Sequence, residues 1–119
     1  MQYLLLIYEN EKRFSTGYQE AELNEYRAFG KEFASAIKGG HALQPTNTAA
    51  TVRVRDEKVL STDGPFAETK EQLAGYYIME CQDLDEAIEW SKRIPTVCRG
   101  REGCIEIRPV DDLPKPNEL

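Results

Sequence analysis

Hydrophobic and polar residues alternate along this chain in patterns that predict an ordered series of strands and helices. Residues 2–8 form a short apolar run, rich in aromatic side chains and bounded by polar residues, which predicts a strand buried on both faces. Residues 18–38 place apolar side chains at steps of three and four, which predicts a long helix with one apolar face. The Gly39-Gly40 pair is predicted to end this helix in a left-handed conformation.

A hairpin is predicted in the middle of the chain, after a short extended segment at residues 41–45. Residues 50–55 alternate in polarity, residues 58–62 follow as a second strand, and Asp56 and Glu57 lie between them. Such a two-residue turn favours glycine because its residues adopt positive φ angles, and this turn has none. The pattern therefore predicts two paired strands joined by an unusual turn.

The remainder of the chain predicts a strand, a helix and a last strand. Residues 75–81 are the most strand-like stretch, with two tyrosines, an isoleucine and a methionine. Asp83 can cap a helix whose first turn is acidic, and Pro95 is predicted to close that helix. Residues 104–110 complete the series as a final strand.

The predicted order of elements is a ferredoxin-like βαββαβ frame whose middle is expanded by the hairpin. Two helices on one face of a largely antiparallel sheet make an α+β fold. At 119 residues the chain is one domain, placed at residues 1–110 and followed by a C-terminal tail at residues 111–119. Apolar residues alternate onto both faces of the strand at residues 75–81, which in so small a sheet predicts a homodimer.

Charge and composition narrow the classes of partner. The formal net charge of −6 disfavours direct binding to nucleic acid or to an anionic membrane, since both require a basic face. The apolar run at the N-terminus is too short to span a membrane, so a cytoplasmic location is expected. Three cysteines and one histidine fit no metal-binding spacing, so neither a metal nor a cofactor is expected.

One segment of the sequence carries a resemblance to a known family. The stretch DGPFAETKEQLAGYY at residues 63–77 resembles the hallmark of the DGPF-domain branch of the YciI-like family. The preceding ALQPTNTAATVRVRDEKVLST, the later DLDEAIEWSKRIP and the terminal IEIRPV fit the same pattern. The resemblance implies a ferredoxin-like subunit that pairs into a dimeric α+β barrel.

The same resemblance implies little about chemistry. An enzymatic role has been inferred for YciI-like proteins from a paired histidine and aspartate, and DGPF proteins have been linked to sigma-factor-type transcription initiation through fused domains. Asp63 matches the aspartate, but residues 18–38, where the histidine is expected, contain none. A mechanism based on that pair is therefore not carried over to this chain.

Asp63 is the leading candidate for a catalytic residue. A carboxylate at the end of a strand that opens into a cleft can act as a general base or anchor a ligand. An aspartate before Gly-Pro can also accept backbone N–H groups in a turn, which would explain it without function. Gly64 and Pro65 are expected to shape this corner beside the ligand, and Phe66 to form core or a wall of the cleft.

Three more side chains near this corner are candidates for ligand contact. Glu68 and Lys70 follow the corner and either face the cleft or belong to a solvated turn. His41 is the single histidine and can act as an acid or base near neutral pH. A lone histidine beside a Gly-Gly pair is, however, more often structural than catalytic.

Two arginines and one tyrosine complete the set of candidates. Arg53 and Arg108 lie on predicted strands, where they either recognise a small anion such as a carboxylate or simply solvate the strand faces. Tyr8 is expected to pack in the core with its hydroxyl at the rim of the cleft.

These candidates support several classes of function. The first is a small ligand-binding protein or enzyme with a cleft around Asp63 near the dimer interface, which takes a small organic acid. The alternative is a non-catalytic accessory module that binds a protein partner in transcription through its acidic surface. A third is a stress-response dimer that binds a metabolite without converting it. Whether the protein is an enzyme stays open at this point.

Overall fold

The computed structural model describes residues 1–14, 19–67, 69–99, 101–114 and 116–118, and within them four strands form one sheet and two form a separate hairpin. The strands are β1 (Gln2–Glu9), β2 (Ile37–Ala42), β3 (Ala50–Arg55), β4 (Lys58–Asp63), β5 (Gln72–Glu80) and β6 (Gly103–Pro109). The α-helices are α1 (Glu20–Glu32), α2 (Leu84–Ser91) and α3 (Pro95–Cys98), and 3-10 helices cover Glu11–Phe14, Thr46–Thr48 and Pro116–Glu118.

The order of strands across the sheet is β2-β5-β1-β6, and every neighbouring pair is antiparallel. This is the strand order of a ferredoxin-like βαββαβ frame, with the β3-β4 hairpin inserted between β2 and β5. The α+β class and the extra hairpin are confirmed. Among the described residues, no helix combines the length and the apolar character that crossing a membrane requires.

The hydrophobic core lies between the helices and one face of the sheet. In β1 the odd-numbered residues Tyr3, Leu5 and Ile7 are buried, whereas the leucines between them are half-buried. On the helix side, the ring of Phe29 lies 5.3 Å from the ring of Tyr77, centroid to centroid. Helices cover only one face of the first strand in the single chain, so burial of its second face stays a prediction that depends on the expected homodimer.

The opposite face of the sheet has no helix over it in the described ranges, and we call it the open face. The strand registers place these residues on it: Leu4, Leu6, Tyr8, His41, Tyr76, Ile78, Cys104, Glu106 and Arg108. The leucine, tyrosine and isoleucine side chains of the open face are half-buried, and the other side chains of this face are exposed. The open face therefore has an apolar centre and a polar rim.

The first helix is shorter than its sequence pattern predicts. α1 ends at Glu32, and Phe33 leaves the helix with a φ of −104° while its N–H still donates to the carbonyl of Phe29. The predicted start at Tyr18 lies outside the described residues. The Gly39-Gly40 pair does not cap the helix but lies inside β2, because this segment is needed as an edge strand that pairs with β5.

Gly40 is required by the close approach of β2 to β5. A Cβ atom at this position would lie 2.6 Å from the backbone oxygen of Tyr76 and 2.9 Å from Cδ1 of Tyr77. Gly40→Ala is therefore expected to lower the free energy of unfolding by about 1–3 kcal/mol, measured by urea unfolding. Gly30 in α1 is the matched control, because a Cβ there meets no atom within 4 Å.

Gly30→Ala is expected to raise stability by about 0.5–1 kcal/mol, because alanine restricts the unfolded chain and favours the helix. Equal effects of the two substitutions would show that the spacing between β2 and β5 adjusts freely to a methyl group.

The second helix begins as predicted and ends earlier. Asp83 caps α2, and its Oδ1 accepts a hydrogen bond of 2.9 Å from the N–H of Glu86. The helix ends at Ser91, so Pro95 does not close it. Pro95 instead occupies the first turn of α3, a position where its missing N–H has no cost.

The hairpin is confirmed, and its turn has the geometry that its sequence disfavours. Asp56 and Glu57 have φ angles of 50° and 64°, so both adopt the left-handed conformation that two-residue hairpin turns require. The register places Val52, Val54 and Val59 on one side of the hairpin, which we call the valine face. These valines are 62%, 65% and 69% exposed.

Candidate functional site

A cavity of about 340 Å³ lies between α1 and the part of the sheet formed by β2, β5 and the end of β1. It is lined by Ile7, Glu9, Leu23, Tyr26, Gly40, His41, Ala42, Ala74, Gly75, Tyr76 and Tyr77. Ile7, Glu9 and Gly75 are buried and form its inner wall, whereas Leu23 and Ala42 are exposed and lie at its opening. The volume suits a small organic molecule.

A buried carboxylate lies at the inner wall of this cavity. Glu9 is only 1% exposed, because it is the last of the inward-facing residues of β1. Its Oε1 accepts a hydrogen bond from the hydroxyl of Thr96 and lies 3.4 Å from the hydroxyl of Tyr26. Its Oε2 is closed off from solvent and has no hydrogen-bond partner among the described residues.

The hydroxyls of Tyr26 and Thr96 lie 2.6 Å apart, and either can be the donor of that hydrogen bond. Both hydroxyls also reach Oε1 of Glu9, so the three side chains form one hydrogen-bonded cluster. Burial raises the pKa of Tyr26, and the nearby Glu9 and Tyr77 raise it further, against a lowering effect of the hydrogen bond with Thr96. Tyr26 therefore stays protonated at neutral pH.

Ion pairs hold α1 and the segment after α3 around this carboxylate. Nη2 of Arg13 lies 3.6 Å from Oε1 of Glu9 and 3.3 Å from Oε1 of Glu22. Nε of Arg101 lies 3.7 Å from Glu22, and its Nη1 lies 2.8 Å from Oε2 of Glu25. The hydrogen bond from Arg101 lowers the pKa of Glu25. The buried acids Glu9 and Glu22 and the half-buried Glu25 are thus each paired with an arginine.

The histidine and a tyrosine that border the cavity point away from it. His41 pairs with Tyr76 and Tyr76 pairs with Leu6, so the side chains of these three residues share the open face. Nδ1 of His41 lies 2.9 Å from the hydroxyl of Tyr76. The histidine therefore belongs to the open face rather than to the inner wall.

The open face also brings together two other candidates from the sequence. Tyr8 donates a 3.3 Å hydrogen bond to Oε1 of Glu106. Burial raises the pKa of Tyr8, and the negative charge of Glu106 raises it further. Arg108 lies one row further along β6, opposite Leu4. His41, Tyr8 and Arg108 are thus placed on one surface, which is separate from the cavity under α1.

Asp63 and its neighbours lie elsewhere, on and after the hairpin. Asp63 is exposed, pairs with Ala50 at the end of the valine face and does not line the cavity. The corner after it is held by the backbone: the N–H of Gly64, which has a φ of 92°, donates to the carbonyl of Ala49. The hydroxyl of Thr51 donates to the carbonyl of Gly64, so no Asx turn by Asp63 is needed.

Most of the other candidates around this corner are exposed to solvent or lie outside the described residues. Phe66 is 80% exposed, so it does not pack in the core, and its alternative role as a wall of a cleft stays a prediction. Pro65 is half-buried, Lys70 is exposed, and Glu68 lies outside the described residues. Arg53 is exposed on the side of the hairpin opposite the valine face, so it does not face Asp63.

The residues around the inner wall are not among the candidates that the sequence predicts. Glu9 continues the alternation of inward-facing residues in β1, although a glutamate after an apolar run is typical of the polar boundary of a strand. Tyr26 lies on the predicted apolar face of the first helix, where it looks like an ordinary core residue. Thr96 carried no signal, because only the packing of α3 brings it to Glu9. The described residues contain no cluster of three or more side chains suited to hold a metal ion.

The strand order and the single helix-covered face define a ferredoxin-like α+β domain, with a cavity beneath α1. A model of the YCII-related domain matches residues 1–114, and the chain belongs to this family. The YciI-like resemblance seen in the sequence is thereby confirmed.

One protein is similar to this chain in sequence, and one solved structure is similar to it in fold. It is 36% identical over 124 residues to the uncharacterized protein R00369 of Rhizobium meliloti (strain 1021), covering 100% of this chain and 98% of that protein. Its fold is similar to that of 5-chloro-2-hydroxyhydroquinone dehydrochlorinase (TftG) from Burkholderia phenoliruptrix AC1100, solved in complex with 2,5-dihydroxybenzoquinone. That similarity has a TM-score of 0.57 at 13% sequence identity and covers 93% of this chain and 94% of the other, so it concerns the fold alone.

Proposed function

We propose that this protein binds a small organic molecule in the cavity between α1 and the sheet. The observation that carries the proposal is the cavity itself, about 340 Å³, which ends at a wall of buried residues that includes the carboxylate of Glu9. Its side-chain lining is mostly apolar, with a few polar groups, as is usual for sites that take small molecules. The similar fold of TftG, which holds a small hydroxylated quinone, supports a cyclic ligand of this size.

We infer binding, rather than catalysis by a histidine–aspartate pair, as the activity of this site. The single histidine and Asp63 lie on different surfaces, and neither side chain enters the cavity. The DGPF-domain branch of the family is inferred from the stretch at residues 63–77 and from the segments around it that fit the same pattern. A cytoplasmic location, a small organic acid as ligand and a protein partner in transcription remain predictions, and no feature of the described residues favours the transcription role.

Filling the opening of the cavity tests the proposal. Leu23→Trp places a larger ring at an exposed cavity-lining position of α1 and is expected to abolish binding of small aromatic probes, measured by chemical-shift titration. Ala28→Trp is the matched control, because Ala28 is exposed on the same helix and does not line the cavity. Equal binding by both variants, or no binding by the wild-type protein, would contradict the proposal.

We further propose that two copies of the chain associate through the open face. The apolar centre of this face is uncovered in a single chain, and the exposed valine face of the hairpin offers a second apolar surface. Rows of side chains on the open face form a flat patch with a polar rim, which is the usual anatomy of an interface. A second copy is the occupant with a matching apolar surface.

A further inference from the structure

Two tyrosine hydroxyls are the side-chain polar groups that the cavity presents to a ligand. The carboxylate of Glu9 is withheld, since Oε1 already accepts from Thr96 and Oε2 is closed off from solvent. The side chains of His41 and Tyr76 lie on the open face. The remaining lining side chains, apart from Tyr26 and Tyr77, are aliphatic or absent.

Tyr26 presents an acceptor to the cavity. Its proton is used inside the cluster, because both Thr96 and Glu9 lie within hydrogen-bond distance of its hydroxyl. The phenolic oxygen of Tyr26 keeps a lone pair that can accept a hydrogen bond from a ligand. Glu9 and Thr96 act as positioning residues, because they fix the direction in which the hydroxyl of Tyr26 donates.

Tyr77 presents a donor as well as an acceptor. Its ring packs against Phe29 at 5.3 Å, and within the described part of the chain its hydroxyl has no hydrogen-bond partner. Tyr77 and Tyr26 both line the cavity. Burial also raises the pKa of Tyr77, so both phenols are neutral at neutral pH.

We propose that the ligand is an uncharged molecule with an apolar ring and a hydroxyl group, which donates to Tyr26 and accepts from Tyr77. This inference rests on the proposed binding function of the cavity. A hydroxyl carries both a donor and an acceptor, and it therefore satisfies both tyrosines at once. An anionic or cationic ligand would enter a site that presents no free opposite charge, because the nearby acids and arginines are already paired.

Phenol, anisole and benzoate test this inference by chemical-shift titration. Phenol has the hydroxyl, anisole lacks only its proton, and benzoate carries a charge. The wild-type protein is expected to bind phenol about fivefold to tenfold more tightly than anisole, which is the effect of one hydrogen bond, and benzoate more weakly than either. Tyr26→Phe is expected to remove the preference for phenol over anisole, measured as the ratio of the two dissociation constants within the same variant.

Tyr77→Phe is expected to weaken the binding of phenol and of anisole by the same factor of about five, because the oxygen atom of each probe loses its hydrogen-bond donor. If wild-type protein binds phenol and anisole equally while Leu23→Trp still abolishes both, this inference is overturned and the proposed function stands. If benzoate binds more tightly than phenol, the ligand is an acid and the inference is likewise overturned. If none of the three probes binds, the proposed function itself fails.

Discussion

Replacement of Glu9 by alanine is expected to lower the free energy of unfolding by about 3 kcal/mol. The substitution removes the acceptor of the buried Thr96 hydroxyl and one of two carboxylates around Arg13. Arg13 keeps Glu22, which limits the loss to the lower end of what breaking a buried ion pair costs. The measurement is urea unfolding followed by the fluorescence of Trp90, which is the single tryptophan and packs on Phe33.

An exposed ion pair provides the control for this prediction. Oε1 of Glu89 lies 2.7 Å from Nζ of Lys92, and both side chains are exposed. Glu89→Ala is therefore expected to change the free energy of unfolding by less than about 0.5 kcal/mol. If Glu9→Ala costs no more than Glu89→Ala, the buried carboxylate does not hold α1 and α3 against the sheet.

Ile78→Lys is expected to raise the dissociation constant of the proposed homodimer by at least about thirtyfold. Ile78 lies at the centre of the open face, between Gly39 of β2 and Leu4 of β1. A lysine at the centre of an apolar interface would have to lose its hydration without gaining a partner charge. Sedimentation velocity over a range of protein concentrations measures the change.

Val97→Lys is the matched control, because it introduces the same charge at an exposed apolar residue of α3, on the helix side of the sheet. It is expected to leave the dissociation constant unchanged. A wild-type protein that stays monomeric at every concentration, or an Ile78→Lys variant that associates like the wild type, would refute the interface on the open face.

The sequence pattern predicted the order of the elements and failed at the boundary between α1 and β2. Phe33 and Ile37 continue the helical spacing of apolar residues because both pack into the same core. Phe33 does so from the end of the helix, and Ile37 does so from the start of a strand that pairs with Met79. Local periodicity cannot show that this segment is needed at the sheet edge, since the pairing partner lies about forty residues later.

The site was harder to predict than the fold, and for a different physical reason. Asp63 stands out in the sequence because it belongs to a distinctive corner, yet that corner is built by backbone hydrogen bonds of Gly64. Glu9 does not stand out, because a glutamate after an apolar strand resembles its solvated end. Its role can be predicted only if the alternation of inward-facing residues in β1 is continued to a fourth position, which is Glu9.

The close approach of β2 to β5 limits how relatives of this protein can diverge in ligand choice. Two cavity-lining positions, Gly40 and Gly75, have no room for a side chain, because a Cβ atom would lie 2.6 Å and 2.8 Å from backbone oxygens of the facing strand. Variation in ligand preference is therefore expected at Leu23, Ala42 and Ala74, which line the same cavity without that restriction. The glycine-lined wall sets the width of the site, and the three aliphatic positions set which molecules fill it.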